Sequence, residues 1–316
     1  MRAMTITPEH RLLLTDLPEP SPAPGEVLVD VVAAGVNRAD LLQVAGGYPP
    51  PAGASELPGL EVAGRRRDTG APVVALLAGG GYAEVVAVPE GQLLPAPAGV
   101  EAVPAAGVPE VAATVVSNLV LEAGLRTGET VLIHGASGGI GTAAVQIAHR
   151  LGARVLAVTG SPEACGSARA LGADAAWDRR TTDLPAAVAA EGGADVILDV
   201  VGGSLLAENV AMLRERGRLV IIGTLGGARG ELPIGLLMGR RARILGTTLR
   251  SRPAAEKQEI LARTQDLVWP LLADGSVRVP VHARLPLEEA EEAHGMLRRG
   301  GHLGKVILEV DLSGAW

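Results

Sequence analysis

The segment that most constrains the fold of this chain is Thr130–Gln146, with the sequence TVLIHGASGGIGTAAVQ. A short apolar run of β-forming residues leads directly into a glycine-rich turn, and an apolar helical pattern follows the turn. A strand, a glycine turn and a helix start together bind dinucleotides, because glycine lets the backbone approach a pyrophosphate and the helix start offers free N–H groups. The segment therefore predicts a nucleotide site at Gly138, Gly139, Ile140 and Gly141.

The same turn also fits a second motif. Gly135, Ser137 and Gly139 match G-x-S-x-G, the nucleophile elbow of serine hydrolases. The dinucleotide pattern G-x-G-x-x-G is imperfect here, because Ala136 replaces its first glycine, and a tight turn without a ligand is a third interpretation. Such hydrolases place several strands before the elbow in the same sheet. Here the glycine turn opens the region of alternating strands and helices, which favours the nucleotide interpretation.

Composition excludes several classes of protein. The chain has 316 residues, of which 47% are hydrophobic, and this is enough for two domains with sizeable cores. No apolar run is long enough to span a membrane and the N-terminus lacks the apolar segment of a signal peptide, so we expect a cytoplasmic protein. The single cysteine, Cys165, excludes an internal disulfide and a multi-cysteine metal site. A net charge of −7 without a long basic run argues against a nucleic-acid partner.

Hydrophobic periodicity divides the chain into regions of two kinds. The first hundred or so residues are rich in valine, proline and glycine and alternate like strands, which predicts a β-rich, barrel-like domain. A helix over Val111–Ala123 then leads into alternating strands and helices, which predict a doubly wound parallel sheet. We interpret the last segment as a return to the first domain. The predicted boundaries are 1–113 with 251–316 for the β-rich domain, and 114–250 for the parallel-sheet domain.

Many short segments form a set that covers nearly the whole chain. The set consists of Gly35–Asp40, Gly46–Pro49, Pro58–Gly64, Gly80–Glu84, Val108–Glu110, Thr114, the glycine-rich turn, Leu171–Ala173, Ile197–Gly203, Leu249–Arg252 and Gly304–Ile307. In this order they resemble the quinone oxidoreductase (zeta-crystallin) branch of the medium-chain dehydrogenase/reductase superfamily, and Pro49–Ser55 looks most like the tumour-suppressor-inducible quinone reductases of animals. The resemblance implies an α/β protein with a GroES-like, β-rich catalytic domain and an inserted Rossmann domain with a doubly wound parallel sheet.

The resemblance also implies an active site without zinc. Asn37 stands where zinc-dependent relatives have a cysteine, and Leu60 stands where they have a histidine; neither residue is an ordinary zinc ligand. Neutral donors would then polarise the carbonyl of the acceptor, which favours an electrophilic acceptor such as a quinone or an enone. Asn37 and Tyr48 are the candidate catalytic donors. The alternative is that Asn37 is a turn residue and that Tyr48 packs under neighbouring prolines.

Further cofactor residues follow from the resemblance alone. Thr114 matches a threonine beside the nicotinamide, and Gly223 opens a loop that matches the family loop over the nicotinamide. Arg250 and Lys305 match positions near the cofactor phosphates. The alternatives are a buried helical threonine, an ordinary turn and two solvated basic residues.

The end of the second predicted strand favours NADPH as the cofactor. A site for NAD needs a carboxylate there to bind the ribose hydroxyls, but Arg154–Thr159 is followed by no acidic residue before Ser161. Ala164 replaces the family lysine that binds the 2′-phosphate. Arg179 is therefore predicted to bind this phosphate, with Arg180 as the alternative and Ser161 adding a hydroxyl. Both arginines could instead be merely solvated.

These features predict a zinc-independent, NADPH-dependent quinone oxidoreductase. The alternatives are an enoyl or alkenal reductase on the same scaffold, a serine hydrolase acting through Ser137, and an NADPH-binding protein without turnover. The resemblance also implies a homodimer formed through the edge of the Rossmann sheet. The predicted edge strand Ile244–Leu249 is apolar and β-branched, with no central charge or proline to block pairing with a second copy.

Overall fold

The computed structural model describes residues 1–311 and 316, and its chain divides into two compact units. The β-rich unit comprises Met1–Ala113 and Leu249–Trp316, and the parallel-sheet unit comprises Thr114–Thr248. The first unit is therefore built from both ends of the chain, and the second is a continuous insertion. Within the described residues, we find no helix of the length and apolarity that crossing a membrane requires.

The strands are β1 (Arg2–Ile6), β2 (Leu12–Asp16), β3 (Glu26–Gly35), β4 (Glu61–Arg66), β5 (Pro72–Leu76), β6 (Val85–Pro89), β7 (Leu93–Pro95), β8 (Thr130–His134), β9 (Arg154–Thr159), β10 (Ala175–Asp178), β11 (Ala194–Asp199), β12 (Leu213–Ile221), β13 (Arg243–Gly246), β14 (Val281–Pro286) and β15 (Lys305–Glu309).

The α-helices are α1 (Arg38–Val44), α2 (Ala102–Ala105), α3 (Pro109–Val115), α4 (Gly139–Arg150), α5 (Pro162–Ala170), α6 (Leu184–Ala190), α7 (Leu206–Met212), α8 (Ile234–Gly239), α9 (Ala254–Ala273) and α10 (Ala290–Arg299). A π-helical segment covers Val116–Glu122, and short 3₁₀ turns cover Glu90–Gln92, Gly203–Leu205 and Leu287–Glu289.

The β-rich unit is organised around a seven-stranded sheet in the order β14-β15-β3-β4-β5-β7, with β6 also paired to β3. The pairs are antiparallel except for β14 with β15, and β1 and β2 form a separate hairpin. Alternation along these strands directs side chains such as Val29, Val62 and Val88 into one core. Tyr82, a fully buried aromatic residue, lies in this core and carries a polar hydroxyl into it.

The parallel-sheet unit contains six strands in the order β10-β9-β8-β11-β12-β13, and every pair is parallel. Helices connect the strands, as the alternating sequence pattern predicts. The central strand β8 is buried along its whole length, because its TVLIH sequence is apolar except at its two ends. This arrangement brings the carboxyl ends of β8, β9 and β11 to one edge of the sheet, which is where such sheets bind nucleotides.

Two predicted elements differ from the structure. The helix expected over Val111–Ala123 is α3 followed by the π-helical segment, because Ser117 Oγ and Asn118 Nδ2 both donate to the Thr114 carbonyl, at 3.2 and 2.8 Å, and alter the helical hydrogen-bond pattern. The edge strand expected to reach Leu249 ends at Gly246.

Candidate active site

The glycine-rich turn of the parallel-sheet unit has the geometry of a nucleotide cradle. Gly138 caps α4, and Gly135 has a φ of +66°, which glycine adopts without strain. A Cβ atom on Gly141 would lie 2.2 Å from the Gly135 carbonyl oxygen, so only glycine fits there. The first turn of α4 leaves backbone N–H groups without acceptors inside the helix, among them those of Gly139 and Ile140. These observations fit the phosphates of a dinucleotide.

The serine of the alternative elbow motif lacks its base. Ser137 lies in the turn before α4, and it forms no hydrogen bond with a histidine anywhere in residues 1–311 or at 316. The nearby His134 is occupied elsewhere, since its Nε2 atom lies 2.8 Å from Asn209 Oδ1. A serine nucleophile needs an adjacent general base, so this geometry does not support the hydrolase interpretation.

The predicted 2′-phosphate residues lie at the same edge of the parallel sheet. Arg179 and Arg180 are exposed and follow β10, and a Cβ atom on Gly160 would lie 4.0 Å from Arg180 Nη2. Ser161 caps α5 and accepts the Ala164 N–H at 3.2 Å.

Glu163 lies beside Ser161 at this edge, in the first turn of α5. Its own backbone N–H and the Ser161 side chain lower the pKa of Glu163.

A buried hydrogen-bonded chain at this edge was not predicted. His134 pairs with Asn209, and Asn209 Nδ2 donates to Asp199 Oδ2 at 3.0 Å. Asp199 also accepts the N–H groups of Val201 and Gly202, at 2.6 and 3.1 Å. Burial lowers the pKa of His134, whose ring therefore stays neutral and donates from Nε2 to the amide oxygen. The chain holds the loop after β11 in place.

The two nicotinamide residues implied by the resemblance lie in well-defined backbone. Thr114 is buried, and its carbonyl accepts the side chains of the π-helical segment. Gly223 follows β12, and a Cβ atom there would lie 2.8 Å from the Val200 carbonyl oxygen. The loop after β12 therefore packs directly on the loop after β11.

Asn37 and Tyr48 differ in what they can donate. Asn37 is buried, and its amide is saturated: Nδ2 donates to Glu61 Oε1 at 2.9 Å, and Oδ1 accepts Lys305 Nζ at 2.7 Å. Tyr48 is half-buried and its hydroxyl has no hydrogen-bond partner within the described part of the chain. Tyr48 thus keeps a free hydroxyl donor, whereas the Asn37 amide is already bound within the protein.

Arg250 and Lys305 are both held by hydrogen bonds inside the protein rather than lying solvated at its surface. Arg250 belongs to the β-rich unit, where Nε donates to the Ala78 carbonyl, Nη1 to the Tyr48 carbonyl and Nη2 to Gln43 Oε1, at 2.8, 3.1 and 2.7 Å. Its guanidinium also lies 5.3 Å from the centre of the Tyr48 ring. We therefore revise the predicted role of Arg250, which positions Tyr48.

Lys305 has no donor left for a phosphate. Its ammonium is 3% exposed and donates to Glu61 Oε1 at 2.6 Å, to Asn37 Oδ1 at 2.7 Å and to the Val36 carbonyl at 3.0 Å. An ammonium has three N–H donors, and all three are used. The predicted phosphate contact of Lys305 does not fit this placement, and we revise it to a buried ion pair with Glu61.

The Glu61 carboxylate is buried, like the Lys305 ammonium that it pairs with. Glu61 is fully buried, and its Oε2 atom accepts the Glu110 N–H at 2.9 Å. A Cβ atom on Gly35 would lie 2.3 Å from Glu61 Oε1, so glycine at this position lets the carboxylate approach the strand. The ammonium of Lys305 thus supplies the positive charge beside Asn37. Within the described residues, no cluster of histidine, cysteine and acidic side chains could hold a metal ion.

A second buried polar chain lies beside this pair. Asp40 accepts the Asn37 N–H at 2.8 Å, the Gly59 N–H at 3.1 Å and the Tyr82 hydroxyl at 3.0 Å. The Tyr82 oxygen lies 3.2 Å from Nε2 of His294. Burial raises the pKa of Asp40 to about 6, and burial lowers the pKa of His294 to about 4.

These two shifts predict opposite pH dependences. The folded state retains the Asp40 proton, so the contribution of Asp40 to stability falls as pH rises from about 4 to 6. The folded state excludes the His294 proton, so the contribution of His294 to stability rises as pH rises from about 4 to 6.5. When the pH rises from 4.5 to 6.5, the free energy of unfolding of Asp40→Asn should increase by about 2 kcal/mol more than that of the wild type. The free energy of unfolding of His294→Gln should increase by about 2 kcal/mol less than that of the wild type. Urea unfolding at both pH values measures these changes. An equal change in the free energy of unfolding with pH in all three proteins would refute the prediction. Glu259→Gln on the surface of α9 controls for charge.

Comparison with known proteins places the chain in a family. Residues 23–98 match the alcohol dehydrogenase GroES-like domain, and residues 139–265 match the zinc-binding dehydrogenase model. The chain is 31% identical over 331 residues to a quinone oxidoreductase of Lama guanicoe, which covers 98% of this chain and 97% of that protein.

Solved structures show the same fold. A quinone oxidoreductase from Thermus thermophilus, also solved in complex with NADPH, is 36% identical with a TM-score of 0.86 and covers 98% of this chain and 100% of that one. An NAD-dependent alcohol dehydrogenase is 29% identical with a TM-score of 0.86, over 98% of this chain and 100% of that one.

The fold and the glycine cradle define an oxidoreductase with a GroES-like domain and a Rossmann domain, which confirms the predicted fold class. The chain belongs to the quinone oxidoreductase family of the medium-chain dehydrogenase/reductase superfamily.

Proposed function

We propose that the protein is a zinc-independent, NADPH-dependent quinone oxidoreductase. The observation that carries this proposal is the Lys305–Glu61 pair around Asn37, in which an ammonium supplies the local positive charge with a 2.6 Å contact to the carboxylate. Leu60, at the other position where zinc-dependent relatives have a ligand, is apolar and buried. A site without a Lewis acid favours an acceptor that is already electrophilic, and quinones are acceptors of this kind.

The parallel-sheet unit is proposed to bind the cofactor. Gly138, Gly139, Ile140 and Gly141 would hold the pyrophosphate with backbone N–H groups, and the close approach at Gly141 supports this assignment. Thr114 and the loop from Gly223 are proposed for the nicotinamide. When bound, NADPH supplies a hydride to the acceptor.

The β-rich unit is proposed to bind the acceptor through Tyr48. Its free hydroxyl can donate a hydrogen bond to an acceptor oxygen as negative charge develops there. Burial raises the pKa of Tyr48, so the phenol stays protonated at neutral pH and remains a donor. Arg250 holds the Tyr48 backbone and ring in place.

Steady-state kinetics test this function directly. The chelator-treated protein should oxidise NADPH rapidly with phenanthrenequinone and slowly with an alkenal. A preference for the alkenal would identify an enoyl or alkenal reductase instead. NADPH binding without turnover across a broad acceptor panel would indicate a catalytically silent NADPH-binding protein, and loss of activity on chelation would contradict zinc independence.

Arg179→Ala tests the proposed preference for NADPH. The substitution should weaken NADPH binding by about 1.5–3 kcal/mol, roughly tenfold or more, and leave NADH nearly unchanged, because only NADPH carries the 2′-phosphate. Binding titrations with both cofactors measure this. Arg180→Ala is the paired variant, since Arg180 Nη2 lies toward Gly160. An equal loss for both cofactors would show that Arg179 is structural, and a loss confined to Arg180→Ala would move the phosphate to that side chain.

A homodimer through the parallel sheet is the proposed assembly. β13 is one of the two edge strands of this sheet, and the preceding α8 buries none of its residues. Ile234 and Met238 are 62% and 71% exposed, which is an unusual surface for large apolar side chains. Light scattering at micromolar concentration should give twice the monomer mass, and Met238→Glu should shift the equilibrium toward the monomer. A monomeric mass for the wild type would refute the proposal.

A further inference from the structure

Three basic side chains of the β-rich unit, those of Arg38, His282 and His302, lie on chain segments next to the contact between Asn37 and Lys305. Lys305 Nζ lies 2.7 Å from Asn37 Oδ1, which brings together the chain next to Asn37 and the chain leading into β15. Arg38 follows Asn37 directly, and His302 shortly precedes Lys305 in the chain. His282 lies on β14, the parallel neighbour of β15, and its ring centre is 6.1 Å from that of His302.

These basic groups lack carboxylate partners. Arg38, His282 and His302 form no hydrogen bond or ion pair with the residues that the structure describes. The neighbouring carboxylate of Glu61 is already occupied by Lys305, at 2.6 Å.

The cluster is electrostatically unfavourable as it stands. Burial lowers the pKa of His302, and the neighbouring His282, Arg38 and Lys305 side chains lower it further. Burial likewise lowers the pKa of Arg38, since no negative charge compensates it. In a chain with a net charge of −7, an unpaired guanidinium beside two histidine rings is an exception that a bound anion would neutralise.

The ring of His302 has a hydrogen-bond donor to spare. Its Nδ1 atom is buried without a hydrogen-bond partner. A neutral ring carries one N–H, and no acceptor among the described residues takes it. This ring N–H and the planar guanidinium of Arg38 are the donors that remain for a ligand. Arginine binds phosphate-like groups through paired hydrogen bonds.

We propose that Arg38, His302 and His282 form an anion-binding site for a phosphate, sulfonate or carboxylate group. The anion has two possible sources with the same chemistry, a phosphate of the cofactor or an anionic group on the acceptor. The assignment to either source rests on the proposed function, whereas the existence of the site does not.

Histidine NMR in the absence of cofactor tests the site itself. Titration with inorganic phosphate and pyrophosphate should shift the ring signals of His302 and His282 saturably, and should raise the pKa of His302. Arg38→Gln should weaken this binding about tenfold or more, because it removes a charge-assisted pair of hydrogen bonds. Arg263→Gln, an exposed arginine of α9, is the matched control and should bind like wild type. His302→Gln assigns the signal and should weaken binding as well.

Two further measurements distinguish the sources. If the cofactor supplies the anion, phosphate should compete with NADPH, and Arg38→Gln should raise the Kd for NADPH about tenfold. If the acceptor supplies it, Arg38→Gln should lower kcat/KM for a naphthoquinone sulfonate and leave the neutral naphthoquinone unchanged. Either result supports the site. Shifts that do not saturate, or that are the same in Arg38→Gln and Arg263→Gln, would overturn it, even in a protein without quinone reductase activity.

Discussion

Replacing Lys305 with methionine is expected to destabilise the β-rich unit by about 3–5 kcal/mol. The substitution removes the ammonium that lies 2.6 Å from Glu61 Oε1 and leaves a fully buried carboxylate without a counter-charge. It also removes the donor to Asn37 Oδ1. Trp269 and Trp316 belong to this unit, so urea unfolding followed by fluorescence in a Trp177→Phe background reports on it directly.

A second substitution shows whether the buried charge is the cause. Combining Lys305→Met with Glu61→Gln should recover most of the loss, because a neutral amide oxygen can still accept the Asn37 or Glu110 N–H without burying a charge. Arg263→Met on the surface of α9 should change stability by less than about 0.5 kcal/mol. If Lys305→Met cost no more than this surface control, the pair would contribute little to stability.

Replacing Gly141 with alanine is expected to damage both folding and cofactor binding. The new Cβ atom would lie 2.2 Å from the Gly135 carbonyl oxygen and 2.6 Å from the Ala136 Cα atom. Both contacts are with backbone, so the turn itself must move, at a cost of about 3 kcal/mol. The displaced N–H groups would also lose their alignment with the pyrophosphate, and we expect the Kd for NADPH to rise by about tenfold or more.

Gly138→Ala is the matched control in the same turn. Its Cβ atom would lie 3.6 Å from the Gly135 carbonyl oxygen, which is ordinary van der Waals contact, and its φ of −74° suits any residue. This variant should keep the stability of the wild type in urea unfolding and lose affinity for NADPH only through contact with the ligand. Equal stability of Gly141→Ala and Gly138→Ala would contradict the proposed backbone clash.

Local sequence was sufficient for the parallel-sheet unit. The strand, turn and helix of Thr130–Arg150 are contiguous, so residue spacing predicted the turn around Gly138 and Gly141, and its place at the start of the alternating region favoured the nucleotide interpretation. The alternation of strands and helices predicted the parallel sheet for the same reason. The π-helical segment escaped prediction, because it depends on two side chains, Ser117 and Asn118, that compete for one carbonyl oxygen.

The roles of the basic residues depended on tertiary structure. Residue type and resemblance identified Lys305 and Arg250 as important but assigned both to phosphates. Lys305 reaches Glu61 and Asn37 across 244 and 268 positions of sequence, and Arg250 reaches Tyr48 across 202. The sequence shows that these side chains are charged, but only the fold shows which hydrogen-bond acceptors surround them.

The sequence by itself therefore determined the fold class and the family and predicted a nucleotide site at the glycine turn, because each depends on residue type at short spacing or on motifs in a fixed order. The tertiary structure decided which side chains remain free to act. Asn37 was an equal candidate with Tyr48 until its amide was seen to be bound by Glu61 and Lys305. The physical reason is that a hydrogen-bond donor is available to a substrate only where the folded chain has left it without a partner.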